Sequence, residues 1–274
     1  MFYYLNAFAS NAQWIGINGS PEKKAGVELL SSDINSSVLR FTIPGFYKHA
    51  VNTPKGEQFI ITTGNSSALM ERGCPDLPKL TASVIIPDLG GMNLSVTYAE
   101  FTDFPFFEIA PSKGNFKRDL SPDNVPYIYG SSYDKELFWP LQLANLSKPY
   151  ILRDYRGITI MVNPFQYNPV TKTLRVYSSI TIKVIATSKT GANELYRMHR
   201  VVEVNKEFTA IYRQHFLNGN SIQYIPAPED GRLLILCPSI WKSMLEPLRK
   251  WKIQKGIYTE ICDLDLIGNS ASAI

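Results

Sequence analysis

The sequence predicts a mainly β protein, with a β-sandwich over residues 14–190 followed by an α/β segment at 231–274. Three observations predict this class. Many short apolar runs alternate with Pro- and Gly-containing turns before residue 200. Aromatic residues make up 12% of the chain and charged residues only 19%, which suits β-sheet surfaces. After residue 231 the pattern changes to a buried strand, a helix and a second strand.

The strands of the sandwich are predicted from these apolar runs. Residues 27–43 contain two runs around a Ser/Asn/Asp turn, which predicts a hairpin. Residues 173–186 alternate strictly, which is typical of a strand with one buried face. The apolar set of that strand is Leu174, Val176, Ile180, Ile182 and Val184. The preceding NPVTK at 168–172 predicts a chain reversal. Further strands are predicted at 56–64, 81–87 and 92–101.

Residues 191–230 are predicted to form a linker that contains one short helix and a processing junction. Apolar residues recur at helical spacing over about residues 206–217. In the C-terminal segment, Leu233–Cys237 predicts a buried parallel strand. Ser243–Glu246 predicts a capping box, with Pro247 in the first helical turn. One β-α-β unit cannot bury both faces of its sheet, so we expect the α/β domain to be truncated.

Composition and motifs exclude several classes of function. The net charge of +4 is spread along the chain, without the basic block expected for nucleic acid. No stretch has the roughly 18 apolar residues of a membrane span. The chain contains no phosphate-binding or dinucleotide-binding glycine loop and no zinc-type ligand spacing. The sequence therefore predicts no cofactor, no metal site, no nucleic-acid partner and no membrane span.

The cysteines and histidines do not predict a complete active site. Cys237 and Cys262 lie in apolar strands, where a buried structural role is expected. Cys74 lies in a loop and is expected to be more exposed, but no histidine is placed beside it. A catalytic cysteine needs an oriented base nearby, so no catalytic residue is assigned and we do not expect this chain to be active alone.

The N-terminus has the small-residue pattern of a signal cleavage site at Ala7-Phe8-Ala9 or Ser10-Asn11-Ala12. A basic n-region is missing and the apolar part is short. We interpret residues 1–13 as the remnant of an export signal, which predicts a secreted protein. The alternative is a first β-strand that begins at Phe2.

Several motifs resemble the pro-segments of gingipain-type cysteine endopeptidases. They cover about residues 27–262, and the most specific is QYNPVTKTLR at 166–175; others are APSKG at 110–114, VPYIYG at 125–130 and PYILRD at 149–154. The resemblance implies a propeptide that aids folding and maintains latency, followed by the start of a caspase-like catalytic domain. It implies a Cys/His pair beyond residue 274, and a location outside or on the surface of a Gram-negative bacterium. The implied partner is the cognate catalytic domain, bound intramolecularly and then non-covalently after cleavage.

The resemblance also implies two functional positions. In arginine-specific members, an arginine shortly after the PSKG-type motif enters the specificity pocket, and Arg118 matches it in this sequence. Lys117 is the corresponding candidate for a lysine-preferring enzyme, and a solvated loop arginine is the alternative. The family carries an arginine before the mature N-terminus, whereas this chain has Gln223-Tyr224. Maturation elsewhere, another protease or a different specificity would each explain that departure, which also weakens the assignment of Arg118.

Two other interpretations stay open from the sequence. A secreted β-sandwich with exposed Tyr and Trp side chains could bind a glycan or a protein without any catalytic role, although the same aromatics also fill sandwich cores. A purely structural surface domain is the third interpretation. The sequence that follows Ile274 separates them, because only a protease requires an α/β sheet with a His and a Cys there.

Overall fold

A computed structural model describes residues 12–117, 119–196, 203–221, 225–227, 232–268 and 270. Residues 1–11, which hold most of the predicted signal remnant, lie outside the described residues. The chain forms two compact units. The first comprises Met1–Val201 and Ile211–Gln223, and the second comprises Val202–Ala210 and Tyr224–Ile274.

The first unit is built from thirteen strands in the described residues. They are β1 (Ala12–Gly16), β2 (Gly26–Ser32), β3 (Ser36–Thr42), β4 (Gly45–Thr53), β5 (Gly56–Thr62), β6 (Ser67–Ala68), β7 (Pro78–Ile85), β8 (Gly91–Phe104), β9 (Ala144–Leu146), β10 (Tyr150–Leu152), β11 (Tyr155–Val162), β12 (Phe165–Asn168) and β13 (Thr173–Thr187). The remaining elements are β14 (Glu203–Asn205), α1 (Lys206–His215), β15 (Ile225–Ala227), β16 (Arg232–Cys237), α2 (Lys242–Gln254), β17 (Tyr258–Asp263) and α3 (Leu264–Ile267).

Three antiparallel sheets form the first unit. One has the order β1-β4-β5, a second the order β10-β11-β7-β6 with β9 also on β11, and a third the order β12-β13-β3-β2 with β8 also on β13. Buried residues from all three sheets share one hydrophobic core. The predicted β-sandwich is therefore confirmed, and so is the hairpin, because β2 and β3 pair antiparallel.

Strand β13 has the one-sided burial that its sequence predicts. All five residues of the apolar set, Leu174, Val176, Ile180, Ile182 and Val184, have 0% exposure. One edge of β13 pairs with β8 along almost its whole length. The other edge pairs first with β12 and then with β3. The alternation arises because β13 is central and one of its faces covers the core.

Aromatic rings fill the middle of that core. Phe46 of β4 lies edge-on to three rings, with centroids 5.6 Å from Phe104, 6.0 Å from Phe107 and 5.6 Å from Phe165. Edge-to-face contacts of this kind add to the free energy gained from apolar burial. Six of the 14 phenylalanines of the sequence belong to this core or pack against it.

The NPVTK segment makes the predicted reversal between β12 and β13. Asn168 is buried, and its Oδ1 accepts hydrogen bonds from the backbone N–H groups of Val170 (3.1 Å) and Thr171 (3.2 Å). Lys172 closes the turn with a φ of 52°, in the left-handed region. An asparagine side chain that bonds the backbone two and three residues ahead stabilises such a turn.

The second unit contains the predicted β-α-β pattern. Strands β16 and β17 pair in parallel, and α2 connects them. Gly256 follows the helix with a φ of 79°, and the N–H of Ile257 bonds the carbonyl of Lys252 at 3.0 Å. This six-to-one bond identifies a Schellman ending. In the described residues, none of the helices has the length and apolar character that crossing a membrane requires.

The predicted start of α2 is wrong. The helix begins at Lys242 after a 3-10 turn at Ser239–Trp241, and its N-cap is Trp241, which makes no side-chain capping bond. Ser243 lies within the helix and caps nothing. Glu246 pairs with Arg249 at 2.9 Å instead of reaching back. Pro247 is therefore the sixth helical residue and not part of the first turn, and it removes a hydrogen bond from the helix.

We predict that Asn168→Ala lowers the free energy of unfolding by about 1–2 kcal/mol, because two backbone donors in the turn lose their acceptor. Chemical denaturation followed by tryptophan fluorescence measures the change. Asn115→Ala, at an exposed loop position, is the control and is expected to change stability by less than about 0.5 kcal/mol. Equal effects of the two substitutions would show that the turn does not depend on Asn168.

Candidate functional site: the 111–126 loop and its base

The loop at residues 111–126 rises from a short extended stretch that is bonded on both sides. On one side, Phe59 of β5 donates to the Glu108 carbonyl (2.8 Å) and accepts from the Ala110 N–H (2.9 Å). On the other side, Asp76 donates to the Ala110 carbonyl (2.9 Å), and Ser112 donates to the Cys74 carbonyl (2.7 Å). The first residues of the loop are thus held like a central strand of a sheet.

A close backbone contact holds the far end of the loop. The Gly130 N–H donates to the Gly73 carbonyl at 2.8 Å, and the Gly73 N–H donates to the Ser112 carbonyl at 3.0 Å. Gly73 has a φ of 82°, and a Cβ there would lie 3.1 Å from the Gly130 nitrogen. The stretches of chain that enter and leave the loop are therefore both tied to one residue, at which only glycine fits without strain.

Two tyrosines that follow the loop fasten it to the sandwich. The Tyr129 hydroxyl donates to Thr53 Oγ1 at 2.9 Å, and the Tyr133 hydroxyl donates to the Ile109 carbonyl at 2.9 Å. Their rings meet edge-on with centroids 4.9 Å apart. Burial raises the pKa of Tyr133 far above its ordinary value, so its hydroxyl stays protonated and able to donate.

Within the loop, charged and capping side chains set the path of the chain. Lys113 Nζ donates to the Pro122 carbonyl at 2.8 Å and lies 4.3 Å from the Tyr127 ring centroid. Ser121 caps the 3-10 turn Pro122–Asn124 through the Asp123 N–H. Sequence reasoning assigned no role to Lys113, although its position in the PSKG motif was a signal that could have found it.

The predicted pocket-binding residues lie near the middle of this loop. Lys117 is exposed, and its carbonyl accepts from the Leu120 N–H at 3.1 Å. Arg118 lies outside the described residues. The loop can thus present a cationic side chain on a base whose two ends are fixed by backbone hydrogen bonds.

Asp76, in the base of the loop, is the most perturbed carboxylate of this region. Burial raises its pKa to about 6, because the charged form loses hydration. The same carboxylate contributes to the raised pKa values of Tyr127 and Tyr133. Sequence reasoning missed this residue, since an aspartate between prolines in a loop is ordinarily solvated.

The segment that leads to the predicted junction is anchored on the first unit. Tyr212 and Phe216 are fully buried, and the Tyr212 hydroxyl donates to Asp154 Oδ2 at 2.6 Å. Asn218 Oδ1 accepts from the Ile85 N–H (2.8 Å), and its amide donates to the Ile85 carbonyl (3.0 Å). Asn218 thus continues the edge of β7 as a neighbouring strand would. Gln223 and Tyr224 themselves lie outside the described residues.

In the described residues, none of the three cysteines is hydrogen-bonded to a histidine. Cys237 is buried, as predicted, but Cys262 is only partly buried, because it lies in a two-stranded sheet. Cys74 is partly exposed in the loop base. His215 Nε2 hydrogen-bonds to the Tyr150 hydroxyl at 2.7 Å, and His49 Nε2 to Thr62 Oγ1 at 2.8 Å. In the same part of the chain, no group of three His, Cys, Asp or Glu side chains could hold a metal ion.

Comparison with known proteins identifies relatives along most of the chain. The family model Propeptide_C25 matches residues 18–216. Gingipain R2 of Porphyromonas gingivalis (strain ATCC BAA-308 / W83) is 35% identical over 240 residues, which are 86% of this chain and 32% of that protein. Lys-gingipain of P. gingivalis (strain ATCC 33277) is 24% identical over 205 residues, 70% of this chain and 11% of that protein. The chain thus spans about a third of the length of gingipain R2.

Solved structures share the fold. The complex of P. gingivalis RgpB pro- and mature domains contains a chain with a TM-score of 0.66 and 36% identity, and the match covers 72% of this chain and 97% of that one. A structure described as giving insight into zymogenic latency of gingipain K matches with a TM-score of 0.56 and 17% identity, over 65% of this chain and 99% of that one. The second likeness concerns the fold alone.

We predict that Asp76→Asn stabilises the chain at neutral pH. A carboxylate whose pKa is raised from 3.8 to about 6 on folding costs no stability below pH 3.8, and its full cost is reached above pH 6. Because Asp76 keeps part of its solvent exposure, the cost is then about 1–3 kcal/mol. Denaturation of wild type and variant at pH 4 and pH 7.5 measures it.

The gain from Asp76→Asn should be near zero at pH 4 and largest at pH 7.5. Glu136→Gln removes an exposed carboxylate and serves as the control, with little change expected at either pH. A variant that is equally or less stable than wild type at pH 7.5 would contradict the burial of charge at Asp76.

Proposed function

The chain belongs to the Propeptide_C25 family, and we propose that it is the latency propeptide, with the opening of the catalytic domain, of a secreted gingipain-like cysteine endopeptidase. The single observation that supports this most strongly is the family match over residues 18–216. In this proposal residues 14–190 form the propeptide, residues 191–230 carry the linker and junction, and residues 231–274 begin the catalytic domain.

The parent enzyme in this proposal hydrolyses peptide bonds with a Cys/His pair that lies beyond residue 274. Its catalytic domain is the partner of the propeptide, first within one chain and then non-covalently after cleavage. It acts outside the cell or on the surface of a Gram-negative bacterium. The curated relatives are P. gingivalis gingipains, which supports this placement.

The 111–126 loop is the proposed inhibitory element. A guanidinium can form two parallel hydrogen bonds with a carboxylate in a specificity pocket, as a substrate arginine does. The loop base is fixed by the Gly73–Ser112 and Gly73–Gly130 hydrogen bonds. A loop already ordered before binding loses little conformational entropy in the complex. Arg118 is the proposed pocket residue, and Lys117 takes that role if the enzyme prefers lysine.

We predict that Arg118→Ala weakens inhibition of the mature cognate enzyme by about 100-fold, or about 2.7 kcal/mol. The inhibition constant is measured with the 274-residue chain added in trans to the mature enzyme. Lys148→Ala, at an exposed position outside the loop, is the matched control. A large effect of Lys117→Ala with none from Arg118→Ala would instead assign the pocket to a lysine. No effect from either would refute the inhibitory role of this loop.

Gln223-Tyr224 is the proposed processing junction. One of the three points at which the chain passes between the two compact units lies between Gln223 and Tyr224, which supports a cut there. We expect the mature enzyme to begin at Tyr224, as measured by intact mass and N-terminal sequencing. Because glutamine does not fit an arginine-specific pocket, Gln223→Arg should accelerate maturation only if the enzyme is arginine-specific. A mature N-terminus elsewhere would contradict this assignment.

A further inference from the structure

Lys113 makes a contact that joins the two halves of the proposed inhibitory loop. Its Nζ donates to the carbonyl of Pro122, nine residues further along the chain, at 2.8 Å. The ammonium also lies 4.3 Å from the centroid of the Tyr127 ring. Among the described residues, Lys113 forms no ion pair with a carboxylate. Its ammonium group instead contacts the Pro122 carbonyl and the Tyr127 ring.

The acceptor is positioned to receive this bond. Pro122 is the first residue of a 3-10 turn capped by Ser121, and its carbonyl also accepts the Val125 N–H at 3.2 Å. A carbonyl has two lone pairs and can serve both donors. A donor with a full charge makes a stronger hydrogen bond than a neutral one, and the aromatic face adds a cation–π attraction.

The Lys113 contact adds a restraint within the loop to the backbone bonds at its two ends. Ser112 is held by Cys74, and Gly130 is held by Gly73, but these bonds lie at the base. The Lys113–Pro122 bond joins the halves of the loop that precede and follow Lys117. It shortens the free part of the loop and so lowers the entropy that binding must remove.

We propose that Lys113 is a positioning residue, whose ammonium restrains the loop through the Pro122 carbonyl before the loop binds the protease pocket. The inference rests on the proposed function and assigns a role in it to the Lys113 side chain. Lys113 itself contacts the loop and does not enter the pocket. Lys113 therefore acts on how well the loop is ordered before it binds the enzyme. That ordering depends on the positive charge of the side chain.

Limited proteolysis of the 274-residue chain with trypsin tests the loop contact without the cognate enzyme. Lys113→Met keeps the apolar stem and removes the ammonium. Mass spectrometry measures the rate of cleavage after Lys117 or Arg118. This rate should increase about tenfold in Lys113→Met. Lys113→Arg keeps the charge and should stay within about threefold of wild type. Lys148→Met, at an exposed lysine outside the loop, should not change cleavage there. Unchanged cleavage in Lys113→Met overturns the proposal.

Inhibition of the mature cognate enzyme tests the functional part. The inhibition constant should rise about tenfold for Lys113→Met, with rescue by Lys113→Arg and an unaltered melting temperature. Faster loop cleavage with an unchanged inhibition constant would overturn the positioning role. Failure of the proposed function gives a different result: neither Arg118→Ala nor Lys117→Ala would then affect inhibition, while the cleavage assay would still report on the Lys113 contact.

Discussion

Strand β13 pairs with β8 along one edge and with β12 and β3 in succession along the other, and this shared pairing organises the first unit. Strand β13 has fifteen residues and pairs with three other strands. The registers of those three strands therefore depend on one another. A shift by one residue would turn its buried face outward, and five fully buried apolar side chains would meet water. The alternating pattern of β13 therefore determines the pairing register of the sheet as well as the buried face of the strand.

The same strand determines where the candidate loop begins. The turn stabilised by Asn168 leads to Lys172, whose carbonyl accepts the Phe107 N–H at 2.9 Å. The Tyr167 hydroxyl donates to the Phe107 carbonyl at 2.9 Å, and Lys172 forms an ion pair with Glu108. The chain leaving β8 is thus tied to the β12–β13 turn just before it enters the loop base. The QYNPVTKTLR motif has a structural role, since it fixes the approach to the loop.

The local sequence pattern was sufficient to predict those elements that bury one face along their whole length. The β2–β3 hairpin, β13 and the β16–α2–β17 order follow from periodicity and turn residues. The loop base could not be predicted in this way, because Ile109 and Ala110 are fully buried in a short stretch bounded by a proline and without alternation. Its partners, Phe59 and Asp76, are distant in sequence, and pairing of that kind leaves no local signal. The start of α2 was mispredicted because a preceding 3-10 turn replaced the side-chain cap.

The candidate loop and its base contain a buried carboxylate and a glycine with a positive φ. Asp76 holds a carboxylate where burial raises its pKa to about 6. Gly114 has a φ of 80°, and a Cβ there would lie 2.8 Å from Arg72 Cβ. Glycine is the residue that this φ favours, whereas a buried carboxylate reduces stability, and proteins retain such a group mainly where the geometry serves a function. The NPVTK turn places Asn168 in its preferred role, but it also departs from local preference at Lys172, whose φ of 52° lies in the left-handed region. The buried carboxylate of Asp76 is consistent with the proposal that the 111–126 loop, and not the more distinctive sequence motif, is the part of the propeptide that acts on the enzyme.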